Sequence, residues 1–494
     1  MSRYWFIALL FLISSIAFSQ GKEIKILHAD NLSFDNNRHI LRGAVKCEHE
    51  GAILQCDTAI IYRDQNNMVA YGHVLITKGD SIRLTGDLVL YDGKTRIASL
   101  EKNVKCTDRD MVLTTKTLLF DLKTNIASYY NGGTLVNKSN TLVSKNGHYY
   151  SNTREATFHY DVVLTNPQYE MKSDTLRYRL NNRTAYFIGP SIIVSKKDYI
   201  YCENGWYDTQ NEKSAFSKNA LLVTENQKLR GDSLVYDRKS QVGRAYRNVT
   251  LFDTSGISFL QGNYIEYKQK GSIALATGRP LYCRIMNNDS LFLAADTMYH
   301  RDVDSTWRFL NAYHHVRIFK SDMQAMADSA TLSTKDSLLS LFKSPVLWMK
   351  NSQATSKEIK VNLTKQEIKG FRLEGKAFLV QLPDTNSKHQ FNQMTGKEII
   401  GQLTNDTIRK ININGNSEII YFPKNKDKSI GLNHTTSTDM VIWFKNGDVA
   451  RVSLRPLTKG KIDPISKIDS KGSQLKGFTW LYESRPKSRF DLFN

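Results

Sequence analysis

The chain has 494 residues, of which 40% are hydrophobic and 23% charged, and this excludes disorder as the default state. Lys and Arg exceed Asp and Glu to give a formal net charge of +20. That surplus favours anionic partners such as phosphates, acidic lipids, acidic glycans or nucleic acid, against the blander reading of a basic, soluble surface. At the N-terminus, Arg3 precedes an apolar run from Trp5 to Phe18 broken only by Ser14 and Ser15, and Ala17-Phe18-Ser19 offers a small-x-small cleavage site before Gln20. Residues 1–19 therefore read as a secretory signal peptide, too short and wrongly flanked for a membrane span. No Cys stands directly after the cleavage site to carry a lipid anchor, so the mature protein is expected to be exported and soluble.

From residue 22 onward one phrase recurs about every 29 residues. Its clearest copy is Leu84-Thr85-Gly86-Asp87-Leu88-Val89-Leu90-Tyr91-Asp92, with an apolar residue two positions after the anchor Asp87 and an aromatic four after. The same offsets give Asp30/Leu32/Phe34, Thr58/Ile60/Tyr62, Lys116/Leu118/Phe120, Asn146/His148/Tyr150, Asp174/Leu176/Tyr178, Glu203/Gly205/Tyr207, Asp232/Leu234/Tyr236 and Asn263/Ile265/Tyr267, with echoes at Asp296 and Asp328 and around Lys357. Apolar and polar residues alternate, and β-branched and aromatic residues dominate, so each repeat is a set of half-buried strands. Polar turns such as Asp92-Gly93-Lys94 and Asn181-Asn182-Arg183 are short enough for antiparallel neighbours. A small residue opens the second strand at Ala70, Ala98, Ala127, Ala156, Ala185, Ala215, Ala245 and Ala274. This alanine column is expected where two sheets approach closely, and the Leu/Tyr columns where they stand apart. The expectation is one elongated all-β body of about 12 repeats, stabilised by neighbour-on-neighbour stacking. It occupies residues 20–422 and is most regular over 22–300.

The regularity fades after residue 300. Segments 309–318, 341–348 and 368–380 still read as strands, and Ile411 to Tyr421 as a further echo; Gln381 to Gln402 reads as an exposed polar loop. Residues 423–494 form a basic block in which Met440–Phe444, Asn446-Gly447 and Val449–Val452 signal a type I′ hairpin. This block is expected to cap the open sheet end, a role compatible with docking to a partner.

No active site is legible. The Asp anchors recur in one structural slot, whereas a catalytic carboxylate pair is built once, so they read as turn carboxylates capping backbone N–H groups. There is no GxSxG, P-loop or Rossmann fingerprint, no Cys/His cluster for a metal, and no cofactor is expected. Of the five cysteines, Cys47 and Cys56 flank a turn at a spacing that permits a disulfide, although small buried thiols suit them better.

The aromatic ladder has two readings: a closed β-core, or an apolar trough that takes acyl chains at ~0.8 kcal/mol per buried CH₂. In the second reading Lys and Arg along the rims meet phosphates or acidic sugars. The residues expected to line it are Leu32, Phe34, Ile60, Tyr62, Val89, Tyr91, Leu118, Phe120, Leu176, Tyr178, Leu234 and Tyr236.

The segment Ile24 to Leu32 followed by Leu41-Arg42-Gly43-Ala44-Val45, and repeats such as Leu229 to Asp237 through Asn248-Val249, resemble the organic-solvent-tolerance (OstA-like, LptA-like) family over about residues 22–380. The resemblance implies a folded-over antiparallel β-jellyroll with an open trough. It implies a periplasmic bridge that binds lipopolysaccharide acyl chains between an inner-membrane extractor and an outer-membrane barrel, with head-to-tail self-association as a further contact and no nucleic acid. The chain carries roughly twice the repeats of a short bridge and lacks the strand run of a barrel. The readings set against this non-enzymatic bridge are an exported structural or adhesive solenoid with a closed core and a polysaccharide-active β-helix enzyme.

Overall fold

Alternating side chains place every second residue of a strand on one face, and short Asp-rich turns let the next strand return beside it. A computed structural model describes residues 23–493 apart from 255, 287–288, 305–307, 365–367, 383–389, 406, 426–427, 446–447, 465 and 467–472. The expected signal peptide and the Asn446-Gly447 turn fall outside these. The described residues are nearly all antiparallel β, in two compact units, Met1–Ser191 and Ile192–Asn494, whose division falls within the strand Thr184–Ser195.

In the first unit, strands Arg38–His49, Ala52–Tyr62, Asn67–Lys78, Ile82–Asp92, Ile97–Asp108 and Met111–Asp121 pair in succession. The turn carboxylates Asp92 and Asp121 accept hydrogen bonds from backbone N–H groups two and three residues on, at 2.8–3.3 Å. These are the turn caps. The anchors have a different role.

Every second long strand of this set carries a bulge at its middle. The pairing shifts between Arg42 and Val45, between Tyr71 and Val74, and between Glu101 and Val104, where two consecutive residues take left-handed backbone, as at Lys102 (φ 60°) and Asn103 (φ 50°). The anchor carboxylate sits at this corner on the neighbouring strand and accepts from the side chain at the bend: Asn103 to Asp87 at 2.7 Å, and Asn248 to Asp232 at 3.1 Å in the second unit. His73 likewise lies 2.8 Å from Asp57. Gly43 and Gly72 start two such bends at φ 77° and 81°, where a Cβ would overlap the Asp30 and Asp57 carboxylates. The anchors thus fasten corners.

The bends fold each strand over, so the two ends of the strand set meet. Tyr91, at one end, reaches His49, at the other, and Arg96 reaches Glu50 at 3.4 Å. Two half-sheets therefore face each other across one interior. Within one half-sheet of the first unit, pairing runs Tyr91, Ala98, Phe120, Ala127, Tyr149, Ala156, Tyr178. In the second unit it runs Tyr207, Ser214, Tyr236, Gly243, Tyr267, Ala274, His300. Small and aromatic residues thus share one column and alternate strand by strand, which corrects the expectation of separate columns. A ring on every second strand has about 9.6 Å of room at the ordinary strand spacing, and the small residue between supplies it. Ala70 and Ala245 belong to a different inward position, and Ala215 is half-buried on the opposite face.

The strands continue through the second unit beyond residue 422. Leu432–Lys445 pairs with Thr407–Tyr421, Asp448–Leu454 and Lys459–Asp463, so the expected hairpin is present. Of the loop expected from Gln381 to Gln402, residues 383–389 lie outside the described residues, and from Asn392 on the chain is a strand, Asn392–Thr404, with a buried start. Its Met394 pairs opposite Leu379 on the inward face, which is why a stretch of weak signal belongs to the sheet. Residues 473–493 pack back onto the outer face of the half-sheet carrying Phe378, Val380 and Ile420. All five thiols are free and buried, and burial pushes Cys47 up to about 11 and Cys56 up to about 12.

Candidate functional site

Of the twelve residues expected in the interior, Val89, Tyr91, Leu118, Phe120, Leu176, Tyr178, Leu234 and Tyr236 are buried on the inward face. Leu32 and Phe34 pair with Leu41 and His39 on that face, but their strand, Asn31–Asp35, is terminal, and they stand 46% and 66% exposed. Ile60 and Tyr62 are half-buried on the opposite face, while Ala59 and Ile61 fill the interior. The corner anchor of that repeat is Asp57, one residue before Thr58, and a one-residue slip exchanges the two faces of a strand. The same slip applies at Asn146: Tyr149, not Tyr150, is the inward aromatic.

Where the folded-over ends meet, the first unit is laced by polar contacts. The Tyr91 hydroxyl lies 2.5 Å from His49 Nδ1, Tyr149 donates to Asp108, and Asn140 donates to the Tyr178 hydroxyl at 2.9 Å. Arg154 pairs with Asp110 at 2.6 Å, and Lys78 donates to the Leu122 carbonyl. Burial pushes the Tyr91 and Tyr149 hydroxyls well above the phenol range, and the Asp108 carboxylate pushes Tyr149 further. In the second unit the lacing continues with Arg238 at 3.8 Å from Asp198, Gln227 donating to Asp302 at 3.0 Å, and Arg308 paired with Asp253. Burial pushes the Asp198 carboxyl up, against the pull of Arg238 and the Tyr236 hydroxyl.

Further along the second unit the two lips part. A cavity of about 480 Å³ opens between them, within the roughly 300–1,000 Å³ of ordinary small-ligand pockets. Met349, Leu379 and Met394 line it from one half-sheet and Ile368, Leu403 and Ile411 from the other. Lys350 and Arg409 stand exposed at its rim, with Asp322, Asn351 and Gln381 beside them. Methionine thioethers are flexible enough to line irregular apolar space. Six apolar side chains beneath a polar rim that carries two cations and the Asp322 carboxylate leave room for an anionic amphiphile.

None of these lining residues stood out in the repeat pattern, because the aromatic ladder has faded there. The signal was the Ile411-Asn412-Ile413 alternation, which marks Ile411 as inward without telling that its opposite wall stands back. Among the described residues no group of three or more His, Cys, Asp or Glu side chains is placed to hold a metal ion, and no helix is long and apolar enough to cross a membrane.

Folded-over antiparallel strands, corners fastened by a repeated side chain, and a shared inward column define an all-β repeat protein of the jellyroll type. Residues 21–174 match the model of the OstA-like protein family. No curated protein matches it. Among solved structures it is similar to LptH from Pseudomonas aeruginosa, the LptA-homologous periplasmic component of the conserved lipopolysaccharide transport device. That likeness is 18% in identity, covers 22% of this chain and 82% of LptH, and has a TM-score of 0.21.

Proposed function

We propose that this chain is a periplasmic, non-enzymatic bridge protein that holds lipopolysaccharide acyl chains between its half-sheets on their way to the outer membrane. The cavity lined by Met349, Met394 and Ile411, rimmed by Lys350 and Arg409, carries the proposal. Acyl chains would enter there, and the two cations would meet phosphates of the head group. The eight buried residues of the expected set, from Val89 to Tyr236, would contact acyl chains only where the lacing yields. Leu32 and Phe34, on the exposed terminal strand, suit a contact with an inner-membrane extractor, an outer-membrane barrel component or a second copy. The OstA-like match over residues 21–174 supports this reading.

The second reading is an exported structural solenoid with a dry core, favoured by the Tyr91–His49 and Tyr149–Asp108 closures. The experiment is equilibrium binding of radiolabelled lipopolysaccharide to the purified protein, beside Met394→Asp and Ile411→Asp. A photocrosslinker is also placed at Met394 or at Tyr178. Saturable binding, lost in both variants and crosslinked from position 394, supports the bridge. Absence of binding supports the closed solenoid, and release of sugar from a polysaccharide panel would support an enzyme.

A further inference from the structure

The outer face of one half-sheet in the second unit carries three buried glutamines, an unexpected choice for a sheet surface. Gln393 and Gln353 are 0% and 1% exposed, and an amide in that setting is costly unless its donor and acceptor are both used. The chain's own tail uses them, and in the same way twice. Gln393 Nε2 donates to the Ser473 carbonyl at 2.7 Å while its Oε1 accepts the Leu475 N–H at 2.9 Å. Gln353 Nε2 donates to the Thr479 carbonyl at 2.9 Å while its Oε1 accepts the Leu481 N–H at 2.7 Å. Each amide thus grips the carbonyl of one tail residue and the N–H two residues on, a pattern that reads extended backbone irrespective of side chain. The third, Gln324, accepts from Arg485 Nε at 2.6 Å. Tail residues follow one another in reverse order along the sheet, from Gln393 to Gln353 to Gln324.

Side-chain pockets supply the selectivity. Leu475 enters the cluster of Phe378, Val380, Ile420, Phe422 and Leu432, and the Phe478 and Trp480 rings lie tilted against Phe391 at centroid distances of 5.3 and 5.0 Å. The tail contains no strand among the described residues, and much of it is exposed, including Leu481, Tyr482 and Phe490. Beyond the two amide clamps the tail is held by Leu475, Arg485 and Leu492, and because it adds no strand to the ladder beneath, it opens at lower free energy than the sheet.

We propose that this face is a binding site for a peptide that presents Leu, Phe and Trp anchors as residues 475–480 do, with a tight turn between the Leu and the Phe, where the Phe478 N–H donates to the Leu475 carbonyl at 3.0 Å and Gly477 takes φ 94°. The chain's own tail occupies it in exchange with the tail of a second copy. Each copy carries one groove and one tail, so exchange joins copies without any new interface. The same hairpin tips present Lys350 and Asn392 to the cavity described above, which places the exchangeable tail directly behind the cavity lip.

The test adds a fluorescent synthetic peptide of residues 473–493 to the full-length protein and to full-length Trp480→Ala, whose own tail grips less well. Two differently tagged full-length copies are also mixed over a range of concentrations. The expected result is saturable peptide binding, about tenfold tighter to the Trp480→Ala chain because an aromatic anchor of its competitor is gone, with mixed-tag species growing with concentration. Loss of peptide binding in Gln353→Leu, with the sheet's amide protection intact, would tie it to the clamps. No binding to either chain, with the Leu475 and Leu481 amides exchanging as slowly as the sheet, would overturn the proposal. Peptide binding with copies monomeric throughout would overturn the second copy as occupant.

Discussion

Replacing Tyr149 by Phe removes one oxygen from the place where the two half-sheets meet and leaves the ring between Ala127 and Ala156. The hydroxyl donates to Asp108, a carboxylate only 2% exposed whose other oxygen, Oδ1, has no hydrogen-bond partner. A hydrogen bond to a charged group contributes roughly 1.5–3 kcal/mol, and stripping it leaves the carboxylate without compensation. For a unit of this size each kcal/mol moves the midpoint by about 2–4 °C, so the first unit should melt several degrees lower. Tyr150, one residue on, faces the opposite way and is half-buried, so Tyr150→Phe should stay within about 0.5 kcal/mol of the parent. Thermal unfolding followed by circular dichroism of both variants, with Asp108→Asn and the Asp108→Asn/Tyr149→Phe double variant, completes a coupling cycle. Should Tyr149→Phe be neutral while Tyr150→Phe destabilises, both the closure and the assignment of faces are wrong.

Arg154 and Asp110 make a pH-dependent contribution. Burial raises the Asp110 carboxyl, but the hydrogen bonds from Arg154 and Asn137 and the Arg154 charge outweigh it and hold the group below its ordinary 3.8. A depressed folded-state pKa gives stability that is present above the unfolded value and lost as pH falls through the folded one. The destabilisation caused by Arg154→Met should therefore be clear at neutral pH and shrink below about pH 3.8, and an equal gap at both pH values would refute it. The pair is partly exposed, so the effect is expected to be modest. At Gly401 an added Cβ would overlap the ring of Phe371, which is buried against it. Gly401→Ala should cost about 1–3 kcal/mol by overpacking, read as a lower denaturant midpoint, with partial recovery in the Gly401→Ala/Phe371→Leu double variant.

Much of the fold was legible because a strand's alternation is local. Asp87, Val89 and Tyr91 announce a face, and recurrence at one offset identifies the inward column through Tyr178, Tyr207 and Tyr236. Misassignment occurred where two neighbouring residues both fit the anchor slot. The Thr58 anchor sits one residue past Asp57, which puts Ile60 and Tyr62 on the wrong face, and the Asn146 anchor sits one past Lys145, which pairs with Asp161 at 2.6 Å, and puts Tyr150 there. A carboxylate near a turn and one at a bend look alike in sequence; the partner sixteen residues on, as Asn103 is to Asp87, separates them.

The residues alone determined the strand content, the period and, at most repeats, which side chains point inward, since β-geometry sets these within a few neighbouring positions. The tertiary structure decided where the folded-over ends touch and where they part. Tyr91 and His49 lie 42 positions apart, and Gln353 and Thr479 lie 126 apart. Such meetings depend on how every intervening bend adds up, and no short stretch of chain carries that sum.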